Sequence, residues 1–309
     1  MPVQTMPEFG RRVFLKASAL GAAVFVFGDA HAHEGDSGLH LALMSDVHIP
    51  ADRLPGARGY DACEQLIRAV PDVLSAKPDG LIVTGDLARH EGEVADYEVF
   101  LELIKPIRET MPVYVALGNH DNRDNFYTAV KNLQGSVQPV EDKHVSVIEN
   151  SQIRIVLLDS LLYVRQRGGL LGKAQREWLN AYLTAHADRP VVLMLHHTLG
   201  DGDNDLLDTE YFFDLLAPHL HVKAIFHGHS HAWRRYERQG ISIINLPTTA
   251  HIRGPEQPIG WVDAVFRKGG MELTLRAFGG NRDEDGKTFS YEWSIPGGDP
   301  SLPSPGAPA

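Results

Sequence analysis

The sequence predicts an α/β sandwich of two mixed β-sheets flanked by helices, and three features predict it. Five short apolar runs recur, "LHLALMSDVH" (39–48), "DGLIVTGD" (79–86), "PVYVALGNHD" (112–121), "PVVLMLHH" (190–197) and "VKAIFHGHSH" (222–231), each ending in a polar cluster. Continuous β-rich runs of that length are what strands buried on both faces look like. Between them lie segments with apolar residues at three-to-four spacing, the mark of amphipathic helices. Late in the chain, adjacent strand patterns joined by turns imply a second, more antiparallel sheet.

The elements follow in order. "GRRVFLKASALGAAVFVFGDAHAHE" opens on Arg11-Arg12, runs through an apolar stretch from Ala17 to Phe27 and reaches Ala30-His31-Ala32. A basic start, a short apolar run and an A-x-A site read as an export signal over 1–32, cleaved after Ala32. Its R-R-x-F-L-K pattern resembles a bacterial twin-arginine signal, which implies passage through the twin-arginine translocation machinery and a periplasmic or secreted product. The apolar run is shorter than the roughly 18 to 20 residues that cross a bilayer, so no membrane span is expected after processing. Residues 33–293 are expected to form the folded domain. Helices are predicted over 61–76 and 95–109, each with an internal proline that kinks or splits it, and over 172–187 and 209–220. "HVSVIENSQIRIVLLDS" (144–160) reads as a hairpin turning at Glu149-Asn150-Ser151, and 240–248 and 259–280 supply the late strands. The Pro/Gly/Ser-rich tail, 294–309, is expected to be disordered.

Composition narrows the function. The 309 residues are 43% hydrophobic, enough to build a full core. Acids outnumber bases, 40 to 29, for a formal charge of −11, so duplex nucleic acid would be repelled. A local cation can still reverse the field inside a site, so small anionic substrates stay open. The one cysteine, Cys63, excludes intrachain disulfides and cysteine-based zinc sites, and it reads as helix packing. Histidine is plentiful at 16.

In open α/β sheets, ligands bind beyond the carboxyl ends of the strands, and all five polar clusters fall there. Asp46 and His48 are two residues apart, as are His229 and His231; along an extended chain each pair faces one side. Gly85, Gly118 and Gly228 precede Asp86, Asn119 and His229, where a glycine lets the backbone turn sharply. Together Asp46, His48, Asp86, Asn119, His196, His229 and His231 offer carboxylate, amide and imidazole donors. That mixed N/O set suits Mn, Fe or Zn more than Ca or Mg. It exceeds the needs of one ion and matches two divalent or trivalent ions that share a carboxylate and a water, roughly 3.5–4 Å apart. Two divalent ions, two carboxylates and a hydroxide sum to about +1, a charge that attracts phosphate.

These ordered blocks, Asp46-x-His48, Gly85-Asp86, Gly118-Asn119-His120-Asp121, His196 and Gly228-His229-x-His231, resemble those of the calcineurin-like metallophosphoesterases from about Leu39 to Val265. The resemblance implies a four-layer α/β/β/α fold and a dinuclear centre. It assigns Asp46, His48, Asp86 and His231 to one ion and Asp86, Asn119, His196 and His229 to the other, with Asp86 bridging. It further implies hydrolysis of a small phosphoester by a metal-bridging hydroxide. Asn119 would also hold the phosphate, His120 would supply the leaving-group proton, and Asp121 would orient His120. His197 is expected to contact substrate or to pack inward, and His90 and His251 to line the cleft or lie on the surface.

Arg89 stands where purple acid phosphatases carry a tyrosine ligand, which argues against that branch. "GNHDNRDNF" and "GGLLGKAQREWL" resemble the bacterial class III cyclic-nucleotide and glycerophosphodiester phosphodiesterases. Those enzymes commonly read His-His-Pro, whereas Thr198 and an acidic loop (199–208) follow His197 here. The expected activity is therefore hydrolysis of a small phosphodiester of the 3′,5′-cyclic-nucleotide or glycerol type. A broad phosphomonoesterase and a non-catalytic metal-binding module are the alternatives, and oligomeric state has no signal in the sequence.

Overall fold

All five apolar runs form strands, and along each one successive side chains enter different cores. The computed structural model describes residues 14–15, 24–26, 38–56, 59–130 and 138–293. Two short strands, β1 (Phe14–Leu15) and β2 (Val24–Val26), precede β3 (Leu39–Met44). Helix α1 (Ala62–Ala76), β4 (Gly80–Thr84), helices α2 (Val94–Leu103) and α3 (Lys105–Arg108), β5 (Val113–Ala116) and α4 (Arg123–Ala129) follow. Next come β6 (Ser146–Glu149), β7 (Arg154–Leu157), α5 (Lys173–Ala185), β8 (Val191–Met194), α6 (Thr209–Leu216) and β9 (Val222–His227). The last elements are β10 (Arg234–Arg238), β11 (Ile241–Asn245), β12 (Pro258–Arg267), β13 (Gly270–Gly280) and β14 (Thr288–Glu292).

The strands form two mixed sheets, one in the order β1-β2-β6-β7-β8-β9-β11-β10 and one in the order β14-β13-β12-β3-β4-β5. Leu41 and Leu43 of β3, Ile82 of β4, Val192 and Met194 of β8 and Phe226 of β9 fill the space between the sheets. Their neighbours Met44, Leu81 and Val83 face the other way, onto Leu66 and Val73 of α1 and Phe100 of α2. Leu193 of β8 and Ile225 of β9 pack on Leu179 of α5 and Phe212 of α6. Three apolar layers thus separate four structural ones, the α/β/β/α sandwich expected.

The late strands do not make a sheet of their own. β11 runs parallel to β9, whereas β12 pairs antiparallel with β3 and extends the sheet of β4 and β5. The edge of β3 offers the backbone groups that β12 pairs with, and the apolar face of β12 (Val262, Ala264, Phe266) then joins the core between the sheets. Pro71 does not break α1, because it lies on the exposed face, where water can take up the carbonyl its ring leaves unbonded. Pro106 does mark a break: α2 ends at Leu103, and α3 restarts with Pro106 in its first turn. The short, largely polar α4 and the polar edge strands β10 and β14 lack the apolar periodicity that revealed the others. Of the segment read as an export signal, only β1 and β2 lie within the described residues, where β2 pairs parallel with β6. The tail 294–309 lies outside them. Among the described residues no helix is long and apolar enough to cross a membrane.

Strands β3, β4 and β5 run parallel to one another, as do β7, β8, β9 and β11. Their carboxyl ends therefore open toward one side and carry all the predicted site residues. The loops there approach closely enough to explain two of the three glycines by space rather than by turning. Gly85 has φ +100°, but Gly118 and Gly228 do not have positive φ. A Cβ on Gly118 would overlap the Asp86 carboxylate, and one on Gly228 would overlap the Ser45 hydroxyl and the Asp46 carboxylate. Gly228→Ala should thus displace Asp46 and weaken metal binding at least about tenfold, as a direct titration would measure. Unchanged affinity would refute this account of Gly228.

Candidate metal centre

Four donor atoms meet where β3, β4 and β9 end. Asp46 Oδ1 lies 3.2 Å from His231 Nε2 and 3.9 Å from His48 Nε2. The two imidazole nitrogens are 3.1 Å apart, and Asp86 Oδ2 is 3.6 Å from His48 Nε2. Four donors each about 2.1 Å from a tetrahedral ion stand roughly 3.4 Å from one another. The same Asp86 Oδ2 is 3.3 Å from His196 Nε2, and Asp86, His196 and His229 form a second cluster of mutually close donors. One carboxylate oxygen therefore touches both clusters.

The lone pairs are free for this use. Asp46 Oδ1, Asn119 Oδ1, His196 Nε2 and His229 Nδ1 are buried without a hydrogen-bond partner. Such orphans are costly unless something electropositive meets them. The opposite ring nitrogens are committed: His196 Nδ1 donates to the Thr84 carbonyl at 2.9 Å and His231 Nδ1 to the His251 carbonyl at 2.7 Å. A carbonyl only accepts, so each bond fixes the proton on Nδ1 and leaves Nε2 open. Ser45 Oγ holds Asp46 Oδ2 at 2.5 Å, which also receives the His229 N–H at 3.0 Å. The donor set thus fits transition-metal cations.

Burial opposes charge here, and neighbours decide the outcome. Desolvation alone would raise both carboxyl groups, but His231 pulls Asp46 well below the usual range and His196 does the same for Asp86. Burial holds His48 and His197 well below the usual imidazole range, and burial with the neighbouring His196 brings His229 down to about 4. His196 moves the other way: burial would lower it, but Asp86 outweighs that and raises it to about 9, so without metal a proton at Nε2 holds the place beside Asp86 that a cation would take.

The geometry corrects two expectations and decides between the two readings of His197. The Asp-x-His and His-x-His pairs are not extended: Asp46, His48, His229 and His231 all have left-handed backbone, as does Asp86. Asp121 does not orient His120. It is fully buried, accepting the N–H groups of Gly118 at 2.8 Å and of Leu87 and Ala88 at 3.1 Å, with the Tyr97 hydroxyl at 3.3 Å. Three amides from two turns solvate the carboxylate better than one imidazole at a cleft edge would, so Asp121 staples the Asp86 turn to the Asn119 turn. Burial and Asp86 nevertheless push its carboxyl up to about 7. His197 packs inward without exposed surface, its Nδ1 2.8 Å from Ser160 Oγ, and does not line the cleft.

His120 stands at the cleft wall, its ring edge-on to His48 with centroids 5.0 Å apart. Its backbone N–H donates to Asp86 Oδ1 at 2.9 Å and its Nδ1 to the His90 carbonyl at 3.1 Å. The cleft has a volume of about 520 Å³ and includes His90 and His251 in its wall. Arg167, Arg253 and Tyr60 line it as well, with no sequence motif to announce them. None of 199–208 lines it. That acidic loop instead braces the loop after β7, with Asp208 accepting the N–H groups of Leu171 and Gly172 at 3.0 and 2.9 Å.

Fold and donors together define a metal-dependent phosphoester hydrolase. The chain belongs to the calcineurin-like phosphoesterase family, whose profile covers residues 39–233. A probable glycerophosphodiester phosphodiesterase of Arcobacter nitrofigilis is 32% identical over 221 residues, spanning 68% of this chain and 78% of the relative. A 3′,5′-cyclic adenosine monophosphate phosphodiesterase of Pseudomonas aeruginosa is 27% identical over 224 residues, 69% of this chain and 77% of the relative. The crystal structure of a dimetal phosphatase from Danio rerio has the same fold, with a TM-score of 0.65 at 18% identity over 84% of this chain and all of its own.

Asp121→Ala should lower stability by at least about 3 kcal/mol, since three buried N–H groups lose their acceptor at roughly 1–3 kcal/mol each. Melting of the metal-free protein measures this. Lost turnover with an unchanged melting temperature would restore Asp121 to the orienting role.

Proposed function

We propose that the protein is a two-metal phosphodiesterase acting on a small diester, of the cyclic-nucleotide or glycerol type, outside the cytoplasm. The shared Asp86 Oδ2 carries this reading: the two donor clusters meet at that atom, beside His120 at the cleft wall. The names of the relatives support diester over monoester substrates. The twin-arginine pattern at Arg11-Arg12 supports export.

Asp46, His48, Asp86 and His231 would hold one ion, and Asp86, Asn119, His196 and His229 the other, with Mn, Fe or Zn suited to these donors. When bound, such a pair supplies Lewis acidity to the phosphate oxygens and an activated water as nucleophile. The chain supplies the rest. Asp46 and Asp86 stay ionised and the buried rings of His48 and His229 stay neutral, the forms in which each donates a lone pair. His120 is fixed through its N–H to Asp86 and its Nδ1 to the His90 carbonyl, which leaves Nε2 to deliver a proton to the departing alcohol.

Turnover of bis(p-nitrophenyl) phosphate and p-nitrophenyl phosphate by Mn²⁺-loaded and Fe/Zn-loaded protein tests the proposal. The diester should have the higher kcat/KM; a monoester preference would favour a scavenging phosphatase, and metal bound without turnover of either would favour a binding module. His120→Ala should lower kcat at least about 100-fold on a diester with an alkyl leaving group, and much less on the nitrophenyl diester. Equal losses on both would remove His120 from the acid role.

A further inference from the structure

The cleft wall beyond the metal donors carries more positive charge than one phosphodiester needs. Arg89, Arg167 and Arg253 line it and no aspartate or glutamate does, in a chain whose formal charge is −11. Arg89 is already engaged, bonded to the Leu54 carbonyl with Asp52 3.8 Å away. Arg167 and Arg253 are not. Among the described residues only three arginine side chains, those of Arg167, Arg234 and Arg253, have neither a hydrogen bond nor an ion pair, and Arg234 lies outside the cleft. Most other arginines among the described residues find a partner; these two stand free where no carboxylate was built to meet them.

Both guanidiniums sit on backbone tied to the metal centre. Two residues before Arg167, the Arg165 N–H donates to the Asn119 carbonyl at 2.7 Å; two residues after it, the Gly169 N–H donates to the Asp205 carbonyl at 2.9 Å. Two residues before Arg253, the His251 carbonyl takes the proton of His231 Nδ1 at 2.7 Å. Their attachment points are therefore registered to the donors rather than carried on free loops. A phosphodiester brings one negative charge, and a dinuclear centre of net charge about +1 meets it. Planar guanidinium groups match the oxygens of a carboxylate or phosphate.

We propose that Arg167 and Arg253 form a second anion subsite, and that the preferred substrate is a phosphodiester with a further anionic group on one of its alcohol arms. This rests on the diesterase reading for the reacting group and on the cleft wall for the second anion. A glycerol-type diester can carry that group on its second alcohol, whereas a cyclic mononucleotide cannot, so of the two substrate types the subsite favours the glycerol type.

The test uses Mn²⁺-loaded full-length protein and inhibition by propylphosphonate, 3-phosphonopropionate and propane-1,3-bisphosphonate. The first has no distal charge, the second a carboxylate and the third a phosphonate. Either nitrophenyl ester serves as reporter, so the subsite is tested whichever ester the protein prefers. At least one distally charged inhibitor should bind roughly two- to thirtyfold tighter than propylphosphonate, the range expected of two exposed ion pairs. R167Q/R253Q should erase that ratio, and R234Q should keep it. If the double variant fails to load metal, R167Q and R253Q singly should each reduce the ratio. A ratio near one in the natural protein, or one that survives these changes, overturns the subsite. A monoester preference with the ratio intact would overturn the diesterase reading and leave the subsite standing.

Discussion

The site depends on backbone held in a conformation that L-residues avoid. Asp46, His48, Asp86, His229 and His231 have φ between 47° and 68°. Each such residue costs about 1 kcal/mol or more, and the set together several. The turns sustain one another: the Asp46 N–H donates to the Gly85 carbonyl at 3.1 Å, the His48 N–H to the Asp86 carbonyl at 2.9 Å, and the His229 N–H to Asp46 Oδ2 at 3.0 Å. Remove the Asp46–His48 turn and the other two each lose a partner. What the strain achieves is convergence, since side chains leaving separate strand ends are folded back onto a common point.

Convergence brings two carboxylates into a dry interior, where like charges repel. His231 and His196 offset that repulsion in the metal-free protein, and bound cations would offset it further. The surrounding residues keep the arrangement from relaxing. Asp121 gathers three backbone amides, Ser45 fixes the back of Asp46, and two carbonyls fix the His196 and His231 tautomers. The glycines at 118 and 228 belong to this rigid support, because side chains there would occupy space the carboxylates need. Function then lies with the loops, while the paired sheets behind them set the frame.

Much of this was legible in the sequence because burial on both faces leaves a plain trace. A strand such as Leu39–Met44, apolar but for His40 and followed by Ser45-Asp46, declares both its core position and its functional end. Other features have no local trace. The division of the parallel strands between two sheets depends on β12 pairing with β3, across more than two hundred residues. The extended geometry assumed for Asp46-x-His48 failed because the residues lie beyond the strand, in turns braced by distant partners. Asp121 looked like a partner for its neighbour His120, but its amides come from Leu87 and Ala88 on another turn. Arg167 and Arg253 sit in loops without periodicity, and only the folded cleft shows that both face the same space.

The central claim is that Asp86 joins two metal sites. Anomalous diffraction from crystals of the Mn²⁺-loaded protein tests it most directly. The account predicts two peaks roughly 3.5–4 Å apart with an Asp86 oxygen between them, one beside Asp46, His48 and His231 and the other beside Asn119, His196 and His229. A single ion at full loading, or two ions without Asp86 between them, would contradict it.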